Sequence, residues 1–167
     1  MAEYLGRDEG HTNSVTREYA VASGATVYDG EFVYLSSGRV TSASIAGKKL
    51  LGTVVGGDTG DLDRGYSGSA TGDAGGTVKV LVNIERDARY LIEGDNVGTT
   101  LAVTHEGTYF DLTGNPGSQL VDTSSTSATV GQLLLIKFNP GIRGTDDTYG
   151  IYRIAENQHS VDDIGAS

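Results

Sequence analysis

Apolar residues recur at every second position of this chain, in runs cut short by glycine-bearing turns, and that rhythm leaves little choice but antiparallel β-structure. Successive side chains of a strand point to opposite faces, so a period of two marks a strand with one buried face. Thr77 to Ile84 is the clearest case: Val78, Val80, Val82 and Ile84 fall on one face, Lys79 and Asn83 on the other. Val15, Arg17, Tyr19 and Val21 keep the same beat. Thr26 to Leu35 reads as strand, tight hairpin at Asp29-Gly30, and strand. Ser36-Ser37-Gly38 then marks a second hairpin leading to Val40, and Lys48 to Val55 a further strand ended by Gly56-Gly57. Tyr90–Ile92 and Thr100–Thr104 are expected as short strands, with one turn of helix over Glu85–Arg89. Leu133–Phe138, almost unbroken in its apolar character, is expected as a central strand buried on both faces. No segment carries the i, i+3, i+4, i+7 stripe of a long amphipathic helix. Short strands with turns about every 8–12 residues belong to sandwiches and barrels.

The fold class expected is therefore all-β: one or two small β-barrel or β-sandwich units with long Gly-rich loops and an extended N-terminal arm. A chain of 167 residues has room for one sizeable core or two small ones. With 25 Gly but 37% hydrophobic residues it is turn-rich yet apolar enough to fold. The expected division places a flexible N-terminal arm at 1–13, an N-terminal β unit at 14–57, and a Gly/Asp-rich loop or linker at 58–76. A C-terminal β-barrel unit at 77–167 completes it, and the two β units either pack as a single domain or stand apart.

Charge narrows the partners. A formal net charge of −10 argues against nucleic acid, whose phosphates require clustered Lys and Arg, and equally against an anionic membrane. No apolar run reaches the length of a membrane span, and Met1–Ala20 carries no apolar signal region, so synthesis in the cytosol is expected. The acid excess suits a protein working in high salt or, more simply, an acidic surface. With no cysteine, disulfides and thiol catalysis are out.

Catalytic and metal-binding constellations do not assemble from the spacing. His11, His105 and His159 lie in separate segments without metal-ligand spacing and read as surface or turn histidines. Asp58, Asp61 and Asp63, in Gly-Asp-Thr-Gly-Asp-Leu-Asp-Arg-Gly, place several hard oxygens on a flexible loop and form a weak calcium candidate. That loop lacks the Asp-x-Asp-x-Asp-Gly register and a closing Glu, so a solvated acidic loop is preferred. Gly65-Tyr-Ser-Gly-Ser is out of register for a nucleophile elbow. Asp146-Asp147 and Asp162-Asp163 are sequence neighbours, which strand geometry sends to opposite faces. No phosphate-cradling Gly-x-x-x-x-Gly-Lys-Ser/Thr is present. The expectation is a protein without catalysis or cofactor. Tyrosine is the one enriched aromatic, nine against three Phe and no Trp, and it supplies contact area at low entropic cost. Tyr4, Leu5 and Tyr66 are the partner-binding candidates, Tyr28 and Tyr34 the barrel residues. Residues 1–13 read either as an arm that adds a strand to a partner's sheet edge or as a frayed terminus.

One stretch carries a resemblance. Gly107-Thr-Tyr-Phe-Asp-Leu-Thr-Gly-Asn-Pro-Gly-Ser-Gln-Leu-Val-Asp is followed by a Ser/Thr tract, then Gly131-Gln-Leu-Leu-Leu-Ile-Lys-Phe-Asn-Pro, then Gly150-Ile-Tyr-Arg-Ile-Ala-Glu-Asn-Gln-His. In order and spacing it resembles the C-terminal part of the capsid decoration, or cement, proteins of tailed viruses, whether bacteriophage-like or haloarchaeal. Gly24–Leu35, Gly38-Arg-Val and Lys49–Gly57 look like the turn, strand, turn, returning-strand layout of small phage head-decoration barrels. The resemblance implies a protein on the outer surface of the virion that binds the major capsid protein, commonly as a homotrimer, and clamps neighbouring capsid subunits. The alternative is a tail, turret or spike β-module binding a host receptor or carbohydrate.

Overall fold

The computed structural model describes residues 2–6, 15–43, 47–57, 68–139, 141, 148–155 and 158. Thirteen strands dominate the described residues, named in chain order: β1 (Glu3–Gly6), β2 (Thr16–Ala20), β3 (Thr26–Tyr28), β4 (Phe32–Ser36), β5 (Arg39–Ser42), β6 (Gly52–Gly57), β7 (Ser69–Thr71), β8 (Lys79–Asn83), β9 (Arg89–Glu93), β10 (Tyr109–Asn115), β11 (Ser118–Ser127), β12 (Leu133–Phe138) and β13 (Tyr149–Ile154). The protein is all-β, as the alternation requires.

Two antiparallel sheets hold most of these strands. The first runs β2-β8-β6-β4-β5 and the second β1-β9-β13-β12-β10-β11, while β3 and β7 pair by themselves. Each large sheet curls on itself. A parallel bridge from Val21 to Val40 joins the two edges of the first, and one from Gly94 to Val121 ties the end of β9 to β11 in the second. The first barrel-like unit encloses a valine-rich core of Val21, Val27, Val33, Val40, Val54, Val80 and Val82 with Leu51. The second packs Tyr90, Ile92, Phe110, Leu112, Leu133, Leu135, Tyr152 and Ile154, and this core also takes in Phe32, Ala43 and Leu50 from the first unit. That shared cluster makes the two units one packed body.

Several turns follow from local chemistry. Ser37 (φ 50°) and Gly38 (φ 75°) both sit at positive φ between β4 and β5, the demand of a two-residue hairpin whose twist matches its strands. Pro116-Gly117 connects β10 to β11, with Gly117 at φ 79°. Proline followed by a positive-φ glycine is the composition of a type II turn.

Other expectations are corrected. Asp29-Gly30 does turn the chain, but β3 and β4 do not form a hairpin ladder: β3 pairs with β7, within the stretch expected as a loop. Residues 100–104 are not a strand. A 3₁₀ turn occupies Val103–His105, closed by Ala102 N donating to His105 Nδ1 at 3.0 Å. Glu85–Arg89 holds a non-helical turn with Ala88 N donating to Glu85 O. β12 is central, between β13 and β10, yet only Leu133 and Leu135 are buried, so it shows one covered face rather than two. The expected boundary at residue 77 also cuts across the pairing, because β8 lies inside the first sheet and β1 joins the second.

Candidate functional site

The two units meet along a row built by strand register. Phe32 of β4 faces Thr53 of β6, and Thr53 faces Asn83 of β8, so the three side chains line up across the sheet on the face away from the valine core. Tyr90 of β9 covers this row. Its ring meets Phe32 edge-on at 4.9 Å between centroids, and Tyr4 of β1 packs on it at 6.1 Å. The Tyr4 hydroxyl donates to Glu85 Oε2 at 3.1 Å. Burial pushes the Tyr90 phenol far up, so it keeps its proton at any physiological pH. Thr53, 1% exposed, and Asn83 are buried; the Thr53 hydroxyl lies against the Tyr90 hydroxyl, and Asn83 Nδ2 has no protein hydrogen-bond partner among the described residues. Buried polar groups of that kind are rare and point to a function or a bound solvent molecule.

A second set of polar contacts stitches the same seam. Gln119 of β11 imitates a strand: Phe32 N donates to its Oε1 at 2.7 Å, and its Nε2 donates to Phe32 O at 3.0 Å. Beside it lies Glu31, 1% exposed, which accepts from Tyr28 N at 2.8 Å, from Gly117 N at 3.3 Å and from the Ser42 hydroxyl. Burial raises its carboxyl and these three donors pull it back only in part, leaving it above its ordinary value. Gln132 repeats the device farther along: Leu112 N donates to its Oε1 at 2.9 Å, and its Nε2 donates to Lys48 O at 2.7 Å.

At the edge of the seam, β1, the β3–β4 turn and the start of β6 bound a cleft of about 440 Å³ lined by Ala2, Tyr4, Asp29, Gly30, Thr53, Val54 and Val55. Glycine at position 30 lets the turn close, with Gly30 N donating to Val54 O at 2.8 Å. Asp29 is half-buried in that turn. Burial raises its carboxyl, opposed by the Gly30 N–H, and among the described residues it has no cationic partner. The cleft thus joins a carboxylate, a phenol and a threonine to two valines and an alanine, a mixture suited to holding a polar group with an aliphatic stem.

Of the partner-binding candidates, Tyr4 lines this cleft and Leu5 is half-buried beside it in β1. Residues 3–6 of the stretch read as an arm are therefore an edge strand of the second sheet. Tyr66, Asp58, Asp61 and Asp63 lie outside the described residues, as do His11 and His159. His105 holds the 3₁₀ turn and packs edge-on to Phe110. No group of three or more His, Asp or Glu able to hold a metal comes together among the described residues. Reading along the chain missed Thr53, Asn83, Gln119 and Tyr90. Thr53 and Asn83 occupy the polar beats of their strands, the pattern of a solvent face, and only a second sheet laid over them makes them interior. Comparison with protein-family models, curated proteins and solved structures yields no match.

Proposed function

We propose that the protein is a capsid decoration protein that binds the outer surface of a viral head and stabilises contacts between major capsid proteins, without catalysis. The observation that carries this reading is the coincidence of the resemblance with a folded unit. The stretch from Gly107 to His159 spans four consecutive strands, β10 to β13, of one sheet. A motif series that falls on successive strands of one sheet describes a module rather than scattered similarities. The acidic charge and the absence of a metal or nucleophile constellation in the sequence agree with binding as the activity, and edge strands such as β2, exposed over Thr16–Glu18, offer main-chain groups to a partner.

The test is light scattering on the purified chain, then sedimentation with expanded capsids of a tailed virus whose genome carries it. Co-sedimentation at a stoichiometry tied to the capsid lattice, from a trimeric solution species, is the expected result. A monomer that stays in the supernatant would overturn it and direct attention to glycan binding by a tail or spike module.

A further inference from the structure

We infer that the tip of the β10–β11 hairpin is a clasp between the two units, and that protonation of Glu31 sets how firmly it closes. The tip belongs to the second unit but ends on the first. Gly117 lies on the Tyr28 ring, where a Cβ would stand 3.1 Å from the ring carbons, and Gly117 N donates to Glu31 Oε1 at 3.3 Å. The same carboxyl accepts from Tyr28 N at 2.8 Å and from the Ser42 hydroxyl, whose oxygen in turn accepts from Gln119 Nε2 at 3.4 Å. One side chain, on a residue 1% exposed, thus ties β3, β5 and the hairpin tip together. None of these contacts depends on the decoration reading.

The proton is coupled to the clasp because closing takes the carboxyl out of water. The titratable groups on the elements around Glu31 are Tyr28 and Asp29 beside β3, Tyr34 on β4, Arg39 on β5, and Asp111 and Asp122 on the hairpin strands. Arg39 is spent on the Asp73 and Ala74 carbonyls, and the groups that bond the Glu31 carboxyl are three uncharged donors. A buried carboxyl without a cation to offset it favours its protonated form, and here burial outweighs the donors and raises it. Lifting the tip returns the group to water and toward its ordinary value of 4.5. The closed state therefore binds the proton more tightly than the open one: the clasp is firmest below that value and loosens as pH climbs through the raised one. The Gln119 pairing with Phe32 does not titrate, so the tip loosens while the seam behind it holds.

The full chain is followed by NMR from about pH 4.5 to 8. The Glu31 carboxyl carbon reports its own titration, and protection of the Gly117 amide against hydrogen exchange, corrected for the intrinsic rate, reports the clasp. Protection at Gly117 is expected to fall several-fold with the midpoint of Glu31, and to stay below that of the Leu135 amide at every pH, as local opening requires. Glu31→Gln is expected to abolish the pH dependence, whereas Asp29→Asn, which changes the other carboxyl of the turn, is expected to keep it. Ser42→Ala removes a donor that favours the ionised form, so its midpoint is expected to move to higher pH, which keeps the clasp testable should Glu31→Gln fail to fold. Gly117 protection that is constant or rises with pH, that equals Leu135 protection, that follows Asp29 instead of Glu31, or that keeps its midpoint in Ser42→Ala would overturn the inference.

Discussion

Replacing Gln119 with leucine removes the one side chain that pairs with both main-chain groups of Phe32 across the seam. The consequences for the two groups differ. The Phe32 carbonyl keeps a second donor, Ala43 N at 2.9 Å, whereas its N–H bonds only to Gln119 among the described residues and is buried with a residue that is 0% exposed. One orphaned N–H costs about 1–3 kcal/mol. For a chain of this size each kcal/mol lowers Tm by about 2–4 °C, so Gln119→Leu should melt roughly 2–12 °C below the parent. Urea unfolding followed by near-UV circular dichroism checks the free energy independently. A second substitution sharpens the test. Gln119→Glu keeps the acceptor for Phe32 N but turns an oxygen toward Phe32 O, so the carboxyl fits only when protonated. Its folded pKa is then raised, and the sign follows: the variant stays near the parent below the unfolded carboxyl value of about 4.3 and loses stability relative to it as pH rises. A Gln119→Leu variant within about 0.5 kcal/mol of the parent, the usual range of a neutral surface change, would refute the bridging role.

Three further outcomes are expected. Glu31 has its carboxyl raised by burial, so the stability it contributes is complete below the unfolded value near 4.5 and drains away as pH climbs through the higher folded value. Glu31→Gln should therefore flatten the decline of the urea midpoint as pH rises above about 4.5, and an unchanged slope would count against the assignment. In Gly52→Ala the new Cβ would stand 1.8 Å from the main-chain oxygen of Asn83. Backbone cannot yield as a side chain does, so a loss of at least about 1–3 kcal/mol is expected in urea unfolding, and parent-like stability would contradict the close approach of β6 and β8. Tyr4→Phe deletes the donor to Glu85 while keeping the ring on Tyr90. A cost of about 1–3 kcal/mol is expected, with faster amide exchange along β1 and residues 89–91, and unchanged exchange would show that the hydroxyl does not anchor the strand.

The strands themselves were legible wherever one face is buried and the other meets water. Val80 and Val82 of β8 mark its inner face by a period of two, and Ser37-Gly38 announces its own turn, whereas the nearly unbroken apolar run of β12 hid that only Leu133 and Leu135 are buried. The candidate site was legible only at Tyr4. Its other members sit on faces that look solvent-directed within a single strand, and a polar residue there reads the same whether water or a second sheet lies above it. Thr100–Thr104 failed for a different reason: a β-tolerant run was overridden by the His105 side chain, which accepts the Ala102 N–H and tightens the chain into a 3₁₀ turn.

Pairing between distant strands was the information least available along the chain, and it is what builds the seam. Because β8 completes the first sheet and the chain then turns at Glu85 into β9 of the second, Asn83, Glu85 and Tyr90 are carried from one unit to the other within a few residues. β1 makes the opposite crossing, lying on β9 while β2 lies on β8. The two crossings place Tyr4 and Glu85 in hydrogen-bonding contact although 81 positions separate them. The first sheet could not close without β8, a strand from the far side of a sequence boundary drawn by composition, whereas the second takes β1 onto its edge. The cleft lined by Tyr4 and Thr53 lies where β1 of the second sheet meets the β3–β4 turn and β6 of the first, so a group bound there would touch both units at once and be stabilised only while they stay packed.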